Sequence, residues 1–158
     1  MILVKAAEIA YDIMMNPVVL LIDEELHRAL PIWTGPFEAN AIAMAFNGVY
    51  FDRPLTHDLL LDICDKIEAR ISMVIINDVI DGNYYAELHI WRDEKNIVID
   101  SRPSDAIALA LRVKAPIYLT DKVAEGFVAL NELLNEEQRQ ELTQSLHQNK
   151  AIKNNHYN

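Results

Sequence analysis

Asp100-Ser101-Arg102-Pro103-Ser104-Asp105-Ala106-Ile107-Ala108-Leu109-Ala110-Leu111 is the stretch that decides the architecture. An apolar strand, Asn96 to Asp100, runs into a proline turn, and an alanine-rich helix, Ser104 to Val113, leaves it. The last eight residues of the stretch, Ser104 to Leu111, are matched earlier by Ala39-Asn40-Ala41-Ile42-Ala43-Met44-Ala45-Phe46, again after an apolar strand and a proline-containing turn. A duplicated strand–helix unit follows. Small alanines let such a helix lie close against a sheet or another helix. Two copies are too few, and too far apart, for a solenoid.

Upstream of the first copy, Val4–Met14, Val18–Ile22 and Leu30–Trp33 read as three strands. The turn signal Asn16-Pro17 and the acidic run Asp23-Glu24-Glu25 separate them, which gives an antiparallel meander. Pro36 opens the helix Phe37–Phe46, and Asn47-Gly48 closes it. A second helix is expected after Thr56 as its N-cap, with Asp58 in the first turn and Leu59, Leu60, Ile63 and Ile67 at helical spacing. Ser72–Val79 and Tyr84–Trp91 flank Asp81-Gly82-Asn83, a hairpin turn. Pro116–Leu119 is a short strand. Asn135-Glu136-Glu137-Gln138 resembles a capping box for a last helix ending near Gln148, and Asn149–Asn158 is expected to fray.

The fold class is therefore α+β: a β-meander, then a duplicated strand–helix unit, in a mostly antiparallel sheet with helices packed on it. The expected organisation is a domain over 1–125 and a helical C-terminal tail over 126–158. The 158 residues are 51% hydrophobic and 24% charged, enough apolar material for one core. Fourteen Lys and Arg against 24 Asp and Glu give a net charge of −10, which argues against a protein that merely coats nucleic acid.

The one cysteine, Cys64, excludes an internal disulfide and a cysteine-based zinc site, and its apolar surroundings predict a buried, inert thiol. No charge-free stretch approaches the ~20 residues of a membrane span, so no membrane partner is expected. Lys5, Glu8 and Asp12 interrupt the apolar N-terminus, unlike a signal peptide. A cytoplasmic protein is the expectation.

Three polar groups interrupt this background, all at predicted helix starts: Glu38; Arg53-Pro54-Leu55-Thr56-His57-Asp58; and Asp100 to Asp105. Helix starts present free N–H groups and partial positive charge, a natural place for anions. As catalytic candidates the pattern offers His57, a general base or acid, with Asp58, Asp105 and Glu38. Arg53, Arg102 and Ser104 are the substrate-binding candidates, the two guanidinium groups being suited to phosphate. Asp100, Asp105 and Glu38, together with Asp58, are carboxylates of the kind that hold Mg²⁺ or Mn²⁺, so a divalent cation is the cofactor candidate. This inventory suits phosphodiester hydrolysis. A structural reading of the same residues, as caps, dipole-compensating acids and surface charges, remains open beside it. The aromatics Trp33, Tyr50, Tyr84, Tyr85 and Trp91 are expected in the core rather than as base-stacking platforms.

Leu30-Pro31-Ile32-Trp33-Thr34-Gly35, Glu38-Ala39, Arg53 to Asp58, Asp100 to Leu111 and Ala115 to Tyr118 occur in an order that resembles the bifunctional nuclease domain family. The resemblance covers roughly residues 1–125, with Thr34 standing where the family more often has a branched apolar residue. It implies a compact α+β domain, hydrolysis of both RNA and DNA, nucleic acid as partner, and self-association into a homo-oligomer, a dimer or larger. It assigns no catalytic residue. The rival expectation is a non-catalytic oligomeric binding or regulatory domain using the same clusters.

Overall fold

Two hairpins are closed by loops of only two residues, Asp81-Gly82 and Asp93-Glu94, and all four residues have positive φ, between 50° and 78°. Such left-handed pairs match the twist of the strands they join. They link β4 (Arg70–Ile80), β5 (Asn83–Arg92) and β6 (Lys95–Ser101) into an antiparallel meander. In this computed structural model of the chain, residues 1–25 and 27–154 are described, with side chains to residue 146. A first meander precedes the second: β1 (Ile2–Tyr11), β2 (Pro17–Asp23) and β3 (Arg28–Trp33). Each meander runs into a proline-started helix, α1 (Pro36–Asn47) after β3 and α3 (Pro103–Val113) after β6. The repeat read from the alanines thus extends to two three-strand-plus-helix halves.

β7 (Ile117–Leu119) joins the halves, antiparallel to β1 and parallel to β4. The eight-stranded sheet has the order β6-β5-β4-β7-β1-β2-β3-β8, with β8 (Val128–Ala129) beside β3. The two halves therefore lie about β7 with β1 and β4 running in opposite directions.

One face of the sheet carries α1, α2 (Thr56–Lys66) and α3. Leu21, Ile32, Val74, Ile76, Leu88 and Ile107 are buried there, and the alanines Ala39, Ala41, Ala106, Ala108 and Ala110 let α1 and α3 approach closely. The other face is covered at the first meander. α4 (Asp121–Ala124), β8 and α5 (Leu130–Leu133) lead to α6 (Glu136–Asn154), where Leu130, Leu134 and Leu142 pack on Val18, Leu20 and Ile22. The capping box is present: Asn135 and Gln138 exchange hydrogen bonds of 3.0 and 2.8 Å between backbone N–H and side-chain oxygen. α6 runs past Gln148 to Asn154, and the fraying expected to Asn158 falls, for residues 155–158, outside the described residues.

The capping expectations at α2 and α3 need correction. Leu55, not Thr56, is the N-cap of α2, and Arg102, not a serine, is the N-cap of α3. Proline at the first position of α3 fixes the entry, so Ser104 stands one residue inside the helix. Cys64 is partly rather than fully buried. Among the aromatics expected in the core, Trp33, Tyr50, Tyr85 and Trp91 are exposed and only Tyr84 packs against it: Tyr85 and Trp91 lie on the open outer face of the second meander, Tyr50 in the loop after α1 and Trp33 at the end of β3.

Asp23 ties down the β2–β3 turn. It is buried, its Oδ1 accepts the N–H groups of His27 and Arg28, and its Oδ2 accepts Arg28 Nε at 2.9 Å. Burial raises its pKa, but these hydrogen bonds outweigh burial and hold the carboxyl below its ordinary value. A depressed folded pKa contributes stability that is complete above the unfolded value, ~3.9, and is lost as pH falls through the folded value. Asp23→Asn is expected to flatten the acid limb of a stability–pH curve measured by denaturant titration below pH ~4. An unchanged limb would show that other carboxyls carry it.

Candidate functional site

Three helices start with an acid at the same place. Glu38, Asp58 and Asp105 are each the third residue of α1, α2 and α3, where a carboxylate compensates the helix dipole. Neither α1 nor α3 has a side-chain cap, so among the described residues the two starts carry unpaired N–H groups beside these acids.

Arg102 joins two of the starts. Its Nε donates to Asp105 Oδ2 at 2.8 Å and its Nη1 to Glu38 Oε1 at 2.9 Å, across 64 residues of sequence. Its side chain is 64% exposed, and Nη2 carries no hydrogen bond among the described residues. Glycine at 35 makes the Glu38 contact possible: a Cβ there would sit 2.2 Å from Glu38 Oε2. The second oxygen of Asp105, Oδ1, lies 3.0 Å from His57 Nε2. Burial raises the Asp105 pKa, but hydrogen bonds from Arg102 and His57 prevail and keep it below the ordinary carboxylate value. Asp105 is thus ionised and can only accept, so His57 Nε2 carries the hydrogen and, in the neutral ring, Nδ1 holds the lone pair. Asp105 and Glu38 in turn hold the Arg102 pKa above its ordinary value.

This chain of four residues walls three cavities. A cavity of ≈390 Å³ is lined by Trp33, Gly35, Glu38, Tyr84, Arg102 and Ser104. One of ≈600 Å³ includes Phe37, Glu38, His57, Arg102 and Asp105. One of ≈610 Å³ has an apolar floor of Leu60, Leu88, Ile90 and Ile99 beneath His57, Arg102 and Asp105. Arg102 borders all three.

The other sequence candidates do not join this chain of four. Arg53 is exposed in the loop before α2 and has no hydrogen bond or ion pair among the described residues. Asp58 uses Oδ2 on the Leu55 N–H and Oδ1 on Arg112 Nε, at 3.1 and 3.2 Å. Asp100 borders the ≈610 Å³ cavity, but it stands opposite Glu87 on β5, between positions whose partners Leu88 and Ala86 face α3, so strand alternation turns its side chain to the opposite face of the sheet. The set Asp100, Asp105 and Glu38 is therefore not gathered. Two of the three are turned on one guanidinium, which already supplies the positive charge a cation would bring, and the third faces away. Among the described residues no three His, Cys, Asp or Glu side chains are disposed to hold a metal. The donor set does not fit Mg²⁺ or Mn²⁺ as placed.

Two polar features escaped the sequence reading. Arg112, in the last turn of α3, is only 9% exposed and binds Asp58 on α2, the Ala41 carbonyl on α1 and the Ala108 carbonyl behind it. A cation in a last turn reads as ordinary dipole compensation, so nothing in the sequence marks it. On the outer face of the sheet, buried His89 receives Asn96 Nδ2 on Nδ1 and donates from Nε2 to Glu87, which also binds Asn77. His89 is one of five histidines in the sequence, and no spacing marks it.

Over residues 18–129 the sequence matches the bifunctional nuclease domain. It is 44% identical over 108 residues to an uncharacterized protein of Mycobacterium tuberculosis, a match covering 68% of this chain and 64% of that one. It is 31% identical over 110 residues to the protein named bifunctional nuclease 2 of Oryza sativa subsp. japonica, covering 68% and 34%. The protein of the same name in Arabidopsis thaliana is 29% identical over 112 residues, covering 69% and 34%. The match spans less than two thirds of the mycobacterial relative and about a third of the plant proteins. Among the described residues no helix is long and apolar enough to cross a membrane.

Proposed function

The chain belongs to the bifunctional nuclease domain family, and from that premise we propose that it hydrolyses phosphodiester bonds of RNA and DNA at the Glu38–Arg102–Asp105–His57 chain, in the cytoplasm. The observation that carries this reading is Arg102, held by two carboxylates from different helices with one end of its guanidinium left open beside two uncapped helix starts. That end takes a phosphate oxygen, and the unpaired N–H groups are in place for the charge that develops on it.

His57 is the base. Asp105 fixes the hydrogen on Nε2, so Nδ1 accepts a proton from the attacking oxygen. DNA lacks a 2′-hydroxyl, so one site serving both substrates uses water. Its oxygen bonds to phosphorus, the P–O bond to the leaving sugar oxygen breaks, and the proton taken by Nδ1 returns to that oxygen. Glu38 orients Arg102 rather than touching substrate. Asp58 holds α2 to Arg112, and Ser104 lines the cavity where the second nucleotide would lie. No step passes through a divalent cation, because the carboxylates nearest the site are committed to Arg102.

The test is cleavage of end-labelled single-stranded RNA and DNA by purified protein, with thermal stability measured on the same preparations. Arg102→Ala is expected to lower turnover ten- to a hundred-fold, the ~1.5–3 kcal/mol of one charged hydrogen bond. Its melting temperature should move little, since exposed ion pairs contribute ~0–1 kcal/mol. Destabilisation with a proportionate loss of activity would overturn the role. A wild-type protein that is folded and cleaves neither substrate would leave the cluster as a helix clamp in a non-catalytic domain.

A further inference from the structure

The sheet has two edges, and they are treated differently. β8 closes one with two residues. β6 leaves the other open along seven, and its centre is Ile97-Val98-Ile99, each 43–49% exposed. Natural edges are usually short or interrupted by charge; here Lys95 and Asp100 stand only towards the ends. Beside this edge lies α2, a helix with no buried residue although it carries an apolar stripe. Leu60, Ile63 and Ile67, at helical spacing, are 43–50% exposed. Leu60 and Ile99 meet in the ≈610 Å³ groove, so strand edge and helix stripe form one surface.

We infer that this surface is covered by a second copy of the chain, with β6 pairing antiparallel to β6 about a two-fold axis through Val98 and α2 lying beside the α2 of the second copy. Such an axis, perpendicular to the sheet, keeps both helix layers on one side, so residues of equal parity must stand opposite each other. Centred on Val98, Ile97 faces Ile99 twice, Val98 faces itself, and Asn96 faces Asp100. Centring on Ile97 instead sets Lys95 against Ile99, and centring on Ile99 sets Val98 against Asp100. Both bury a charge against an aliphatic side chain. The antiparallel sense also keeps Lys95 from Lys95 and Asp100 from Asp100, where a parallel in-register pairing would set like charges together. The six aliphatic side chains offer on the order of 500 Å² of apolar surface, against the ~800 Å² per partner of a standard interface, and the strand backbone and polar rim supply the rest. His57, Arg102 and Asp105 border the same groove, so the pairing closes its apolar side.

The test uses the whole chain. Light scattering across micromolar concentrations should give twice the 18.0 kDa chain mass. In a Cys64→Ser background, Val98→Cys should oxidise to a covalent dimer, Asn96→Cys alone should not, and Asn96→Cys mixed with Asp100→Cys should yield the crossed product. Ile97→Lys with Ile99→Lys should weaken association at least a hundred-fold with an unchanged far-UV spectrum. If that pair fails to fold, the cysteine variants decide. A monomer mass, or a dimer in which Val98→Cys does not cross-link, overturns the inference.

Discussion

His57→Gln is expected to lower hydrolysis of both RNA and DNA by ~10²–10⁴-fold, the usual contribution of a positioned general base. Glutamine fills most of the space of a side chain that is only 13% exposed, and its amide N–H can still reach Asp105. What it lacks is a lone pair basic enough to take a proton from water. Stability should therefore stay near wild type while turnover collapses, and the limb of the pH–rate profile that reports a base losing its proton should vanish. Asp105→Asn leaves the imidazole in place but removes the charge that fixes its hydrogen on Nε2, so its loss should approach that of His57→Gln. Activity within tenfold of wild type for His57→Gln, on protein of native melting temperature, would assign the proton transfer to another group.

The largest loss of stability is expected from Arg112→Ala, ~2–4 kcal/mol, because two carbonyls of packed helices lose a charged donor and α2 loses its tie to α3. The guanidinium joins three helices at once: Asp58 at 3.2 Å, the Ala41 carbonyl at 3.1 Å and the Ala108 carbonyl at 2.7 Å. Truncation leaves two carbonyls without this donor between closely packed helices, and frees Asp58, which keeps the Leu55 N–H and part of its exposure to water. At ~2–4 °C per kcal/mol for a domain of this size, the melting temperature should fall by ~10 °C. Arg112→Lys should recover only part, since one ammonium cannot span three acceptors in different directions. A loss below ~1 kcal/mol, read from the denaturant midpoint at unchanged slope, would mean that water replaces the arginine. The contrast with Arg102 lies in the arginines themselves: both bridge helices through partly exposed carboxylates, but Arg102 is 64% exposed and Arg112 9%, and only Arg112 also holds two backbone carbonyls.

Local patterning was legible where it depends on neighbours in sequence. The two meanders follow from alternation and the Asp81-Gly82 turn, the alanine repeat marks α1 and α3, and the polar clusters at helix starts point to Glu38, His57, Arg102 and Asp105. What could not be read depends on which face another element covers. Asp100 and Asp105 are five residues apart, yet one belongs to a strand whose alternation aims it through the sheet and the other to a helix above it. Tyr85 and Trp91 sit at good strand positions, and only the placement of α6 over the first meander rather than the second decides that they meet solvent. β7, three residues long, carries no signal for the parallel pairing with β4 that joins the halves.

The site is built from both halves of the chain, and this sets when it can exist. Glu38 belongs to the first meander-and-helix unit and Arg102 and Asp105 to the second, with His57 on the connecting helix, and the bonds among them close loops of 48 and 64 residues. Closing such loops costs entropy that local hairpins do not pay, so these contacts form only after the two units have docked around β7. During synthesis the first unit emerges with its glutamate but without the arginine that the glutamate positions. The proposed site is therefore assembled at the last stage of folding, and a ribosome-bound or half-docked chain does not yet hold it.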